Sequence, residues 1–142
     1  MSEALTFHFY VDGSDFTSAG QASVQVKKNL RQLGLSPEII RRVSIAMYEG
    51  EINMVIHAGG GTADVTVTED RIIIKLHDNG PGIKDISQAM QEGFSTAPDN
   101  IRSLGFGAGM GLPNMKRYSD YMDIKSEVGV GTDITMEVNI KD

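Results

Sequence analysis

Near the start of the chain, Leu5, Phe7, Phe9 and Val11 occupy every second position, with Thr6, His8 and Tyr10 between them. A period of two is that of a strand with one buried face. The same alternation returns at the far end, at Ile134, Met136, Val138 and Ile140. Residues 14–33 change to helical spacing, with Ser14 or Asp15 placed to cap the start and Gly34 to stop it. Ser36-Pro37 then reads as an N-cap followed by a first-turn proline. It opens a second helix through Ile40, Val43, Met47 and Met54 toward His57, ended by Gly59-Gly60-Gly61. Two strands follow, 62–68 and 71–77, joined by a tight turn at Glu69-Asp70. Residues 83–93 read as a short helix and 94–109 as a glycine- and serine-containing loop, too long for a plain connector. A helix over 112–120 tolerates Pro113 because it lies in the first turn. Strands at 122–128 and 132–140 close the chain as a hairpin. Strands at both ends with helices between them predict an α+β fold. It is a two-layer α/β sandwich, a mixed, mostly antiparallel sheet with helices on one face.

Composition narrows the class. With 142 residues, 40% of them hydrophobic, the chain fits one domain over residues 1–142, able to bury roughly 68–70% of its unfolded surface. Its 13 basic against 19 acidic residues give a net charge of −6. Proteins that track nucleic acid neutralise phosphates with clustered Lys and Arg, so no nucleic-acid partner is expected. Any anion held here is held locally. The absence of cysteine excludes disulfides and thiolate metal sites and fits a reducing compartment. No basic-then-apolar leader opens the sequence and no stretch reaches the ~20 apolar residues of a membrane span, so a cytoplasmic protein is expected. His8, His57 and His77 fall on strands or a helix end and read as structural, and no zinc site is expected.

Three stretches carry candidate chemistry. On the second helix, YEGEINMVIHAG places Glu49 and Asn53 four residues apart and so on one face, with Gly50 inside the helix. Taken alone, this is a solvated stripe with a hydrogen-bonded Glu–Asn pair. The alternative is that the pair supplies a general base and an oxygen ligand for Mg²⁺. At the end of a strand, HDNGPGIKD is either an Asx-type turn or a site where Asp78 accepts from a flat ligand beside two glycines. The third stretch runs EGFSTAPDNIRSLGFGAGMG, with glycines at 105, 107, 109 and 111 leading into a helix. It is either a surface loop or a lid whose amides, at a helix N-terminus, hold phosphate. Ser95 and Thr96 of this loop either contact phosphate or bond local backbone. Lys116 and Arg117 either face phosphates or a partner, or meet the C-terminal dipole of their helix.

Familiar phosphate motifs do not fit. No glycine precedes a lysine as the Walker pattern requires, and Gly107-Ala108-Gly109-Met110-Gly111 misses the dinucleotide spacing by one residue. The eukaryotic-type kinase tripeptides are absent as well. In order and separation, however, the stretches resemble the Bergerat-fold, or GHKL, ATP-binding domains of gyrase B, MutL, histidine kinases and the small anti-sigma serine kinases. Glu49-x-x-x-Asn53 matches the N-box, Asp78-x-Gly80-x-Gly82 the first glycine box, and Gly107-x-Gly109-x-Gly111-Leu112 the second. Gly131-Thr132 matches the pair that closes the adenine pocket. The likeness runs from about residue 40 to 138.

The resemblance implies ATP and Mg²⁺ as cofactors and assigns roles. Glu49 would be the general base and Asn53 the Mg²⁺ ligand. Asp78 would accept from the adenine amino group, flanked by Gly80, Gly82 and Ile83 and supported by Thr132 directly or through water. Gly107, Ala108, Gly109, Met110, Gly111 and Leu112 would aim backbone amides at the phosphates. The chain has no room for the added domains of gyrase B, MutL or histidine kinases. At the place where histidine kinases carry a basic residue it has Ile56. The IHAGGG ending, EGFST and LGFGAGMGLPNMKR look like the anti-sigma serine/threonine kinase group, nearer its stress-signalling switch kinases than its sequestering factors. The implied activity is phosphorylation of a Ser or Thr on a STAS-domain antagonist or stress-scaffold partner. The alternative is a nucleotide-dependent factor that sequesters a sigma factor or docks on a phosphatase. A homodimer through the first strand and helix is left open, because an alternating edge strand looks the same in monomers.

Overall fold

A computed structural model describes residues 4–14, 19–91 and 111–140. Its elements run β1 (Leu5–Asp12), α1 (Gln21–Gln32), α2 (Pro37–Ala58), β2 (Gly60–Val67), β3 (Arg71–Asp78), α3 (Ile86–Ala89), α4 (Gly111–Tyr118), β4 (Tyr121–Glu127) and β5 (Gly131–Asn139). The strands form one sheet in the order β1-β2-β3-β5-β4. Every pairing is antiparallel, so the parallel component allowed for by a mixed sheet is not found among the described residues.

The period of two sorts the sheet into two faces. On β3, Ile72, Ile74, Leu76 and Asp78 are buried while Arg71, Lys75 and His77 are exposed. The buried face carries α1 against β1, α2 across β1, β2, β3 and β5, and α4 against β4 and β5. Val26 and Leu30 of α1, Val43, Ala46 and Met47 of α2, Met115 of α4, and the inward residues of β2, β3 and β5 make one closed apolar layer. Burying a side chain of this size contributes about 1.5–3 kcal/mol, and this layer is the main stabilising feature. The opposite face is a polar lattice. Thr6 pairs with Thr66 at 3.0 Å, Arg71 with Glu137 at 3.0 Å, His8 with Asp64 and His77 with Asp133.

Several element boundaries differ from the expectation for stated physical reasons. The first helix begins at Gln21, not near Ser14, and its N-cap is Gly20 at φ 99°. Ser14 instead closes a turn, donating its amide and hydroxyl to Asp12 Oδ1 at 2.9 and 2.7 Å. Asp15 lies outside the described residues. Gly20 has no side-chain oxygen, and the free amides of α1 are met by Glu51, which reaches across from α2. Glu51 is 2% exposed and accepts from the amides of Gly20, Ala22 and Ser23 at 2.9, 3.2 and 2.6 Å.

The second helix starts as expected, with Ser36 Oγ accepting from Ile39 N and Pro37 in the first turn. Gly59 ends it in the left-handed region at φ 73°, but Gly60 and Gly61 already belong to β2. The short helix after β3 covers only Ile86–Ala89, capped by Asp85. Ile83 is held back from it because its amide is bonded to Ser126 Oγ at 2.7 Å. The last helix stops at Tyr118, since Asp120 is drawn into the sheet by its amide bond to the Glu137 carbonyl at 2.7 Å.

Candidate active site

α2 carries the acidic–amide face and also packs against α4, β3 and β5. Its register is fixed by Gly50, where a Cβ would lie 2.2 Å from Leu76 Cδ1 and 3.5 Å from Met115 Sδ. Glycine costs about 1 kcal/mol relative to alanine inside a helix. Here it lets α2 settle on β3 and α4 together.

Glu49, one residue earlier, meets the first turn of α4. Its Oε2 lies 3.6 Å from where a Cβ on Gly111 would be, and Asn114 hydrogen-bonds its carboxylate. Burial raises the Glu49 pKa above its ordinary value, and the Asn114 bond offsets part of that rise. A half-buried carboxylate with a raised pKa suits proton abstraction better than a fully solvated one. Asn53 follows one turn along the helix and is half-buried.

The far end of α2 meets the turn after β3. A Cβ on Gly80 would come within 2.6 Å of Ala58 Cβ, and one on Gly82, at φ 82°, within 2.4 Å of the Glu127 carbonyl oxygen. These two glycines are therefore required by chain packing. The Gly129 amide bonds the Pro81 carbonyl at 2.8 Å, which ties the β4–β5 hairpin to the same turn. Asp78 itself is 8% exposed, and its Oδ1 accepts from Gly80 N at 2.9 Å. The Asx-type turn expected there is formed, with Asp78 buried within it.

Asp78 belongs to a row that runs across the sheet. The inner face is apolar along Leu76–Ile134–Ile124, then turns polar at Asp78–Thr132–Ser126. Thr132 is 6% exposed and its hydroxyl bonds Ser126 Oγ at 2.8 Å. A Cβ on Gly131 would come within 2.1 Å of the Asp78 carbonyl oxygen, so the glycine before Thr132 allows β5 to pass close to β3. Ile83 packs against the core with its amide on Ser126, and Leu112, 7% exposed, lies in the core.

The fold therefore brings Glu49 to Gly111 and Asn114, and brings Asp78 to Gly80, Thr132 and Ser126. Both groups hang on α2, separated by the nine residues from Glu49 to Ala58, about 13–14 Å at 1.5 Å per residue. Gly107, Ala108, Gly109 and Met110, with Ser95 and Thr96, lie outside the described residues. Lys116 and Arg117 occupy the last turn of α4, where cations meet the helix dipole. His57, half-buried near the end of α2, has its pKa lowered by burial.

Reading the sequence missed Glu51, Asn114 and Ser126. Glu51 had a signal, a carboxylate on the apolar stripe between Met47 and Val55. Asn114 and Ser126 had none, because only the packing of α4 on α2 and of β4 on β5 gives them partners.

Comparison with known proteins agrees with this geometry. Residues 39–142 match the family described as histidine kinase-, DNA gyrase B-, and HSP90-like ATPase. The serine/threonine-protein kinase RsbT of Bacillus subtilis is 34% identical over 118 residues, covering 80% of this chain and 83% of that one. An anti-sigma F factor of Clostridium acetobutylicum is 35% identical over 121 residues, covering 82% of this chain and 81% of the other. The crystal structure of the RsbU and RsbW domains of Rv1364c from Mycobacterium tuberculosis superposes with a TM-score of 0.65 at 16% identity. That superposition covers 94% of this chain and 32% of the other chain, and it speaks to the fold alone. Matched over most of its length, the chain belongs to the histidine kinase-, DNA gyrase B- and HSP90-like ATPase family.

Proposed function

We propose that the protein is an ATP-dependent serine/threonine kinase of the anti-sigma regulatory type, which phosphorylates a STAS-domain antagonist. The observation that carries the reading is the position of Glu49. It is a half-buried carboxylate with a raised pKa, held by Asn114 against the residue at which the glycine-rich segment enters α4. There Glu49 would accept the proton of the partner's hydroxyl as that oxygen bonds the γ-phosphorus and the bond to the β–γ bridging oxygen breaks, ADP being the leaving group. At the other end of α2, Asp78 accepts from the adenine amino group, and Thr132 completes that pocket. Backbone amides at the start of α4 face the phosphates, which suits a chain whose net charge is −6.

Asn53 offers a neutral oxygen donor on the Glu49 face, and that donor chemistry fits Mg²⁺, a hard cation. When bound, the ion neutralises charge on the phosphates. The kinase named RsbT and the relatives named anti-sigma F factor support regulation of transcription through a sigma factor or its regulators.

Labelled ATP with purified antagonist proteins tests the reading. Transfer to an acid-stable Ser or Thr is expected. Glu49→Ala is expected to lose transfer while ATP still binds, and normal phosphorylation by that variant would remove Glu49 from the role of base. Asp78→Asn is expected to weaken ATP binding by about 10- to 150-fold.

A second reading has support of its own, since the anti-sigma F factor and the kinase relatives are almost equally similar, at 35% and 34% identity. On that reading the nucleotide-bound chain sequesters a sigma factor. Retention of a sigma factor in a pull-down only when nucleotide is present would favour sequestration over a pure kinase.

A further inference from the structure

α4 is held at both ends. It has eight residues, Gly111–Tyr118, and a helix of two turns has little stability of its own in water. Its place along α2 therefore depends on what it touches. Leu112 and Met115 bury its inner face, Met115 beneath Gly50. Apolar contacts are non-directional and methionine is adaptable, so these residues hold α4 down without fixing where it stops along α2. That takes directional contacts. At the start of α4, Asn114 hydrogen-bonds the Glu49 carboxylate. Beyond its end, two residues after Tyr118, Asp120 is gripped by two elements at once. Its Oδ2 accepts from the Asn139 amide at 2.7 Å and its own amide donates to the Glu137 carbonyl at 2.7 Å, both on β5. Its Oδ1 meets Arg42 Nη2 of α2 at 3.1 Å. These two side chains are 22% and 34% exposed, so water screens the pair less than it does His77–Asp133. Arg41 adds a weaker grip on the same turn, lying 5.4 Å over the Tyr118 ring.

We infer that Arg42 and Asp120 are positioning residues of phosphoryl transfer: their ion pair sets how far α4 lies along α2 and so keeps Asn114 on Glu49. The inference rests on the reading of Glu49 as the proton acceptor, and it gives neither residue a contact with nucleotide or substrate. α2 and α4 run antiparallel. The start of α4 lies by Glu49 and its end by Arg41 and Arg42, seven to eight residues earlier on α2, about 10–12 Å at 1.5 Å per residue. Asp120 is fixed to β5, and Arg42 joins it to the helix that carries the base. Without the pair, the end of α4 stays on β5 but loses its charged stop on α2. A slip of about 1 Å takes Asn114 out of hydrogen-bond reach of Glu49, and a misplacement of that size can lower a rate about 100-fold. The contact is one nitrogen to one oxygen, so it does not need the fork of arginine, and lysine can make it too.

The side-chain amide of Asn114 reports the position of α4 directly, and its NMR resonance in the full chain is identified by its loss in Asn114→Ala. Wild type and Arg42→Lys are expected to show this resonance at a hydrogen-bonded shift, and Arg42→Met to move it to where Glu49→Ala moves it. Phosphoryl transfer from labelled Mg·ATP to a purified STAS-domain antagonist should fall about 10- to 100-fold in Arg42→Met. It should recover in Arg42→Lys, and it should fall no further when Arg42→Met is added to Asn114→Ala. Calorimetric affinity for Mg·ATP should stay at the wild-type value. Asp120→Asn, which leaves an oxygen for the Asn139 amide, gives the same readouts if Arg42→Met fails to fold. A merely structural pair would lower the melting temperature yet leave the Asn114 resonance and the rate below that temperature unchanged, and that result overturns the inference. Additive losses in the double variant overturn it as well. Glu49→Ala separates the two levels of the claim. If Glu49→Ala is inactive while Arg42→Met keeps both resonance and rate, the positioning role is wrong and the base stands. If Glu49→Ala transfers phosphate normally, the base reading falls and the positioning role falls with it.

Discussion

Glu49 and Glu51 are two residues apart on α2 and solve opposite problems. Glu51 is buried and fully engaged, with three α1 amides on its two oxygens. Removing it leaves those donors without partners in a dry place, so Glu51→Ala should cost about 1–3 kcal/mol. A denaturation midpoint equal to wild type would show that water replaces the carboxylate at no cost. Glu49 is half-buried and its pKa is raised, with burial the larger cause and the Asn114 bond opposing it. A carboxyl whose folded-state pKa is raised holds its proton better in the folded chain. The stability this gives is present below the ordinary value of 4.5 and is lost as pH rises through the raised one. At neutral pH the ionised group therefore weighs against folding, and Glu49→Gln should raise the melting temperature there while abolishing transfer. Asn114→Ala removes the opposing bond, so the acidic limb of the rate profile should move to higher pH. An unmoved limb in single-turnover kinetics would mean that Asn114 does not govern the base.

At the scale of the element, α2 is a core helix and the spine of the site at once, and Gly50 is where the two uses meet. Alanine is the better helix former by about 1 kcal/mol. Its methyl would nevertheless sit 2.2 Å from Leu76 Cδ1, and overpacking of this kind costs about 1–3 kcal/mol. Gly50→Ala should thus destabilise the fold and push α2 away from β3 and α4, and phosphoryl transfer should fall with it. Equal stability by chemical denaturation would show that Leu76 yields freely. Elements whose signals are local were legible in the sequence. The strands declare themselves by alternation, α2 by Ser36-Pro37 and Gly59, and the boxes by their spacing. The start of α1 was not legible, because its cap is a side chain of another helix, 28 residues beyond Ser23. Nor was the short extent of α3, since Ile83 is held by β4. The same tertiary origin hid Asn114 and Ser126 from the reading of the site.

Across the whole molecule the sheet separates two environments. Its inner face holds the apolar layer and ends in the Asp78–Thr132–Ser126 row, whereas its outer face is a solvated lattice of cross-strand pairs. Charge on that outer face adds its own pH dependence to stability. His77 on β3 lies opposite Asp133 on β5 and bonds it, and that bond is the main reason its pKa is raised above 6.5. A histidine whose folded-state pKa is raised stabilises the fold fully below its unfolded value of 6.5, and the gain disappears as pH climbs through the raised value. Both side chains are more than half exposed, at 52% and 62%, so solvent screens the pair and the gain is small and salt-sensitive. Melting temperature should therefore decline from mildly acidic to alkaline pH at low ionic strength. Asp133→Asn should flatten that decline, and added salt should have much the same effect. ATP affinity should be unaffected by Asp133→Asn, because the outward side chains of β3 and β5 face away from Asp78 and Thr132. Loss of nucleotide binding in that variant would show that the two faces of the sheet are coupled through β3.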